Sequence, residues 1–323
     1  MELLRLTGRP RMAILNNLTT NDKHMPAWQD ALNKSFNSVR EFNAHRATYA
    51  ERIALLKALK AIDQRWEPML DQTVRAFQRD WERRIDQSVT TILELLRKAL
   101  SHRVTKVIKV DDLGSDDERA AIKTRLTDAL QDDLRRMETE AQDEVRAHFR
   151  HNVWHLPPES LLQKDLFSDE VGEALGLSRH KLVLASTAAG AATGGAIDLG
   201  VGGLSLGLAA AIGAATGGVL GVLGTAALAK VDIQRTLGVE RFTMGPITNP
   251  RFPFVLLDRI ILYCGRAMNW AHGRQAADED ATGRVPDREI RHKRRGFTES
   301  LPAEDHKTLT KFFNATRKGK ESP

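Results

Sequence analysis

Cysteine is nearly absent, with Cys264 alone among 323 residues. That excludes a disulfide framework and any cysteine-based zinc ribbon, and it suits a reducing compartment. Aromatic residues make up only 6%, and no β-branched run recurs at regular spacing, which argues against an all-β sandwich. No G-x-x-x-x-G-K-[ST] run occurs anywhere. Ala189-Gly190-Ala191-Ala192-Thr193-Gly194-Gly195 approaches its glycine content but lacks the lysine that reaches the phosphates. Met1-Glu2-Leu3-Leu4-Arg5 lacks the charged-then-apolar layout of a signal peptide, so a cytoplasmic location is expected.

What is present is unevenly placed. The chain carries 48 Lys+Arg against 42 Asp+Glu, a formal +6. Residues 281–323 hold 11 Lys+Arg and 6 Asp+Glu, a difference of +5 that is nearly the whole excess. From Leu182 to Ala229 the only charge is Asp198, and this stretch holds 12 of the 23 glycines and no aromatic residue.

Periodicity gives the expected elements. Residues 10–15 read as a short buried strand. Pro26 opens a helix with Trp28, Leu32 and Phe36 on its apolar side; Val39 to Phe42 reads as a second strand, and Ile53, Leu56, Leu59 and Ile62 line a second helix. This order implies the edge of an α/β sheet, and because two strands do not make a stable sheet, the unit reads as incomplete, its earlier strands lying before Met1. Trp66, Leu70, Val74, Phe77, Trp81, Ile85, Val89, Ile92 and Leu96 then form one apolar stripe, and Ile122, Leu126, Leu130, Leu134, Met137, Ala141, Val145 and Phe149 a second. An antiparallel helical hairpin buries both. Beyond Lys230, Arg241 to Met244 reads as a strand, Val255 to Met268 as a buried helix, residues 274–296 as a polar basic loop, and Leu301 to Phe313 as a short closing helix.

The fold class expected is therefore mainly α: a long helical hairpin plus a glycine-zipper helical hairpin, with a partial α/β unit at the N-terminus and a small α/β region at the C-terminus. The domains expected are 1–62, 63–158, 159–232 and 233–323, the last with a basic tail.

Within the glycine-rich segment, Gly190 and Gly194, Gly203 and Gly207, and Gly213, Gly217 and Gly221 recur at four-residue spacing. That spacing puts them on one helix face, where the missing side chains admit another helix. Each glycine costs about 1 kcal/mol against alanine in a helix, so close packing must offset the loss. A membrane-spanning hairpin, a reversibly associating hairpin and a tightly packed core remain open. The absence of a flanking Trp or Tyr belt argues against a permanent span, while Arg179, His180, Lys181 and Lys230 at its two ends suit membrane contact.

Three further clusters invite chemistry. Gly203-Leu204-Ser205-Leu206-Gly207 matches G-x-S-x-G, but the pattern needs a strand-to-helix turn, and here it sits inside a glycine zipper. No catalytic residue is assigned. Glu144, His148, His151 and His155 fall at i, i+4, i+7 and i+11 on one helix face, weak candidates for a divalent metal beside the plainer reading of a solvated helix end. Arg288, Arg291, Lys293, Arg294 and Arg295 form a basic surface without interleaved aromatics, which suits anionic lipid head groups or nucleic acid beside the plainer reading of a solvated loop. Lipid is preferred because the glycine zipper lies in the same chain.

Gly8-Arg9-Pro10-Arg11-Met12-Ala13-Ile14-Leu15-Asn16 followed by Phe42-Asn43-Ala44 resembles the last third of a bacterial small G domain. Asp198 to Gly207 and Phe252-Pro253-Phe254-Val255-Leu256-Leu257-Asp258-Arg259 resemble the uncharacterised C-terminal domain associated with bacterial Era-like GTPases, the domain of unknown function numbered three-four-eight-two. The resemblance implies a guanine-reading N-K-x-D strand end matched at Asn16, with Asn17 and Thr19 in place of the lysine and aspartate, and an S-A-K-like turn matched at Ala44. It implies GTP and Mg2+ as cofactors only where the P-loop half of the G domain is present; for this chain alone it implies no cofactor and no GTPase activity. The partners expected are a membrane surface or a hydrophobic partner helix, or a second copy of the chain, at or in the inner membrane. A soluble helical scaffold and a GTP-binding protein completed from outside the chain are the alternatives.

Overall fold

A computed structural model describes residues 10–16, 23–44, 47–110, 115–150, 160–175, 228–270 and 296–319. Among them the protein is mainly α, with seven α-helices and two small sheets. The chain forms two compact units. The first comprises Met1–Ser88, Arg146–His155 and Gly265–Arg284, and the second Val89–Val145, Leu156–Cys264 and Val285–Pro323. Both are therefore assembled from separated stretches, whereas the sequence reading divides the chain into four consecutive segments.

The first unit opens with β1 (Met12–Leu15), α1 (Met25–Asn33), β2 (Ser38–Glu41) and α2 (Tyr49–Lys60). β1 and β2 pair in parallel from Met12 opposite Ser38 to Leu15 opposite Glu41. Pro26 in the first turn sets the start of α1. A capping box starts α2: the Thr48 hydroxyl accepts the Glu51 N–H, and the Glu51 carboxylate accepts the Thr48 N–H at 2.7 Å. Lys60 then donates to Asp71 at 2.6 Å and also pairs with Glu67, tying the end of α2 to the start of the next helix.

Two expectations for this unit need correction. β1 is not a buried strand, because only Ala13 is buried and Ile14 is 49% exposed. α1 buries none of its residues, Trp28 is 58% exposed, and Phe36 lies beyond the helix end in a turn. A sheet of two short strands offers too little surface to cover a helix face.

The two long helices are α3 (Glu67–Ser101, 35 residues) and α4 (Asp116–His148, 33 residues). They run antiparallel. In the first unit Arg84 Nη1 donates to the Phe149 carbonyl at 3.4 Å; in the second Thr91 Oγ1 donates to Glu144 at 3.2 Å, and His102 contacts Asp133 at 2.7 Å. The expected stripe of α4 is buried at Ile122, Leu126, Leu130, Leu134, Ala141 and Val145. That of α3 is not continuous: Phe77 and Val89 are 47% and 48% exposed, while Ser88, Thr91, Leu95 and Ala99 are buried. The buried face therefore passes through two small hydroxyl residues. Ser88 returns its hydroxyl to the Arg84 carbonyl at 2.8 Å, so a polar side chain is accommodated there at little cost.

In the second unit β3 (Val104–Lys109), β4 (Ala229–Thr236) and β5 (Val239–Ile247) form an antiparallel sheet in the order β3-β5-β4. β3 is a strand the sequence reading missed, and residues 229–232, assigned there to the glycine-rich helical segment, begin β4. Gly245, at φ +112°, passes so close to the His102 carbonyl that a Cβ would collide with it. α5 (Asp169–Leu175) and α7 (Ala303–Arg317) flank α6 (Phe252–Asn269) in sequence.

α6 is the centre of this unit. Every residue from Phe252 to Ile260 is buried, the signature of a helix covered on all sides. Phe254 meets Phe313 of α7 edge-on with ring centroids 5.1 Å apart, and Phe252 stacks on Phe167 at 5.9 Å. Two adjacent charges interrupt this apolar run. Arg259 donates from Nε to Glu138 at 2.6 Å, from Nη2 to the same carboxylate at 3.2 Å, and from Nη1 to the carbonyls of Leu161 and Lys164 at 2.9 and 3.0 Å. Asp258 accepts the Thr298 N–H and hydroxyl, each at 2.8 Å. Gly296 lies against that carboxylate and the Leu175 carbonyl, where a Cβ has no room.

Candidate functional site

The carboxyl ends of β1 and β2 lie side by side because the strands are parallel and in register. The Phe42 N–H donates to the Leu15 carbonyl at 3.0 Å and closes the ladder. One residue further along β1, Asn16 Oδ1 accepts the Ala44 N–H at 3.1 Å across 28 residues of chain. The two residues matched to the guanine-reading strand end and to the S-A-K-like turn are thus in direct contact. At the opposite ends of the strands, Asn37 Oδ1 accepts the Arg11 N–H at 2.9 Å and the Asn37 N–H donates to the Arg11 carbonyl at 3.0 Å. Side-chain amides therefore hold both ends of this short pair.

The electrostatics at the Ala44 end do not favour an anion on the nearest helix. The first turn of α2 follows the turn closely, but Glu51 already supplies a carboxylate to its free N–H groups through the capping box. The arrangement is a polar turn held by an asparagine, open to solvent. Asn17 and Thr19, where the pattern would have lysine and aspartate, lie outside the described residues.

Of the remaining candidates, Glu144 accepts the Thr91 hydroxyl, and His148 ends α4. His151 and His155 lie outside the described residues, as do Gly190, Gly194, Gly203, Gly207, Gly213, Gly217, Gly221, Arg288, Arg291, Lys293, Arg294 and Arg295. Among the described residues no group of three or more His, Cys, Asp or Glu is placed to hold a metal ion, and no helix is long and apolar enough to cross a membrane.

The sequence reading missed the polar anchors of α6. Asp258 is fully buried, and burial pushes its carboxyl up to about 7 despite the two donors from Thr298. Burial likewise pushes the Cys264 thiol up to about 12, so this cysteine is an inert core residue. Phe252-Pro253-Phe254-Val255-Leu256-Leu257-Asp258-Arg259 is the first half of α6, and its two charges are structural anchors.

A parallel β-α-β unit, two long antiparallel helices and a buried helix beside a small antiparallel sheet define a mainly helical protein with α/β margins. Residues 29–322 match the family described as Domain of unknown function (DUF3482), and the chain belongs to that family. No curated protein and no solved structure matches the chain. The family match covers Ala44 and all of α2 to α7, whereas β1 and Asn16 precede it.

Proposed function

We propose that the chain is the non-catalytic effector portion of a GTPase-related protein, of the Era-like kind. It engages a membrane surface or a hydrophobic partner helix through the glycine-rich segment 182–229. The observation that carries the reading is the hydrogen bond from the Ala44 N–H to Asn16 Oδ1, at 3.1 Å. In open parallel sheets ligands are read at the carboxyl ends of the strands, and Asn16 and Ala44 occupy those ends on adjacent strands. Asn17 and Thr19 in place of lysine and aspartate remove the groups that would recognise guanine, and no lysine-bearing phosphate loop occurs in the sequence. GTP and Mg2+ belong to the function only where another polypeptide segment supplies that loop.

A second reading, a GTP-binding site completed by such a segment, has one observation in its favour. β1 is apolar on both faces (Met12, Ala13, Ile14 and Leu15), which marks a strand meant to be covered, yet Ile14 is 49% exposed. β2 ends instead in exposed Arg40 and Glu41, as an edge strand does.

Titration of residues 1–323 with a fluorescent guanine nucleotide separates the two. The effector reading expects no saturable binding, and micromolar binding abolished by Asn16→Ala overturns it. Sedimentation with anionic vesicles tests the membrane arm. Binding is expected, with a salt-sensitive fraction that falls when Arg291, Lys293, Arg294 and Arg295 are replaced by serine. Protein wholly in the supernatant at low salt would leave only the partner-helix arm.

A further inference from the structure

A cavity of about 270 Å³ opens in the first unit. One side of it is aromatic. Tyr49 of α2 stacks on Trp81 of α3, with ring centroids 4.2 Å apart and planes 11° from parallel, and Phe149 meets Trp81 edge-on at 5.5 Å. Phe77, one turn before Trp81, also lines the cavity and is 47% exposed.

Met268 and Trp270 also line it, and the remaining side chains are charged, with charges that do not cancel. Asp80 is shared between Arg83 and Arg84, and the Arg83 hydrogen bond, helped by Arg84, holds its carboxyl below the usual carboxylate range. Arg84 itself faces the cavity and is further engaged by the Phe149 carbonyl. Arg52 also lines it. One of its Nη2 hydrogens goes to the Ala47 carbonyl at 3.1 Å, and among the described residues no carboxylate pairs with it. The cavity thus presents two guanidinium groups against one carboxylate that is already doubly paired.

This lining discriminates between ligand classes. An uncharged apolar guest would take water from Arg52 and return nothing for it. A cation meets two like charges. A small inorganic anion leaves the aromatic side unused, whereas a planar ring gains stacking and cation–π contact there. The volume lies just below the range of sites for drug-sized ligands, so the guest is small.

We propose that this cavity binds a small planar aromatic anion, no larger than a nucleoside monophosphate, its ring against the aromatic side and its anionic group on Arg52. The proposal is independent of the G-domain reading, because nothing in the lining selects guanine over adenine.

Equilibrium dialysis of the full chain against adenosine monophosphate, guanosine monophosphate, adenosine and inorganic phosphate tests it. The two monophosphates are expected to bind alike, more tightly than adenosine and far more tightly than phosphate, and less well as salt is raised. Arg52→Met is expected to weaken the monophosphates about tenfold or more while sparing adenosine, since it removes one charge-assisted hydrogen bond. Should that variant fail to fold, Phe77→Ala, at an exposed position, is expected to weaken the monophosphates and adenosine together. The absence of saturable adenosine monophosphate binding at millimolar concentration overturns the proposal, as does equal binding of adenosine and its monophosphate. Guanosine monophosphate binding that adenosine monophosphate does not share, and that Asn16→Ala abolishes, also overturns it and returns the ligand to the strand ends.

Discussion

The two units spend their charged residues differently. In the first, charges cap and link helix ends: Glu51 at Thr48, Lys60 with Glu67 and Asp71, and buried Asp63 with exposed Arg65. In the second, adjacent buried charges on α6 hold separate stretches of chain. Arg259 fastens Glu138 of α4 and the carbonyls of residues 161–164, and Asp258 fastens residues 296–298. Exposed pairs contribute little because water competes for both partners, whereas a buried charge that loses its partner is left without solvent or counterion. The second unit therefore depends more on single buried charged side chains than the first does.

The largest effect is expected at Arg259. Arg259→Ala strands the buried Glu138 carboxylate and should lower unfolding free energy by about 3–5 kcal/mol in a denaturant titration. Arg259→Met combined with Glu138→Leu should recover much of that loss, since a well-packed apolar pair can replace a buried ionic one. A double variant no better than the single would show that the bonds to the carbonyls of residues 161–164 carry the stability.

Asp258 gives a pH dependence of defined sign. Its folded carboxyl is raised to about 7 from an unfolded value near 3.8, so the fold favours the protonated form. The stability it contributes is full below the unfolded value and is lost as pH rises through about 4 to about 7. Asp258→Asn keeps the neutral shape, so the variant should gain on the wild type across that window, by a total on the order of 4 kcal/mol. Parallel stability curves for the two proteins would mean that the buried carboxyl is ionised throughout.

A smaller effect is expected in the first unit. Thr48→Ala removes one half of the α2 capping box and should cost about 1 kcal/mol. A loss as large as that at Arg259 would contradict the contrast drawn between the units.

Much of this organisation is legible in the primary structure, for physical reasons that also mark where legibility stops. Helices with a continuous apolar face announce themselves, and all of the α4 stripe except half-buried Met137 is buried as its spacing requires. β3 did not, because Val104 to Lys109 alternates over only six residues and follows a helix without a glycine or proline to separate them. Ser88 and Thr91 escaped notice since short hydroxyl residues look like surface, although both are buried and each donates its proton, Ser88 to the Arg84 carbonyl and Thr91 to Glu144. Glu138 and Arg259 are separated by 121 residues, and no local period reveals that they meet. The Asn16 to Ala44 contact was legible only through resemblance to a G domain, because neither residue type signals a site by itself.

The parallel pair β1–β2 buries only Ala13, whereas Phe252 to Ile260 of the second unit are buried throughout, so the two should differ in local stability. Native-state amide hydrogen exchange tests this directly. The account predicts that Ala13 to Leu15 and Val39 to Glu41 exchange through local opening, at free energies well below that of global unfolding. Phe254 to Leu262 should exchange only through global unfolding. Protection of β1 equal to that of α6 would contradict it.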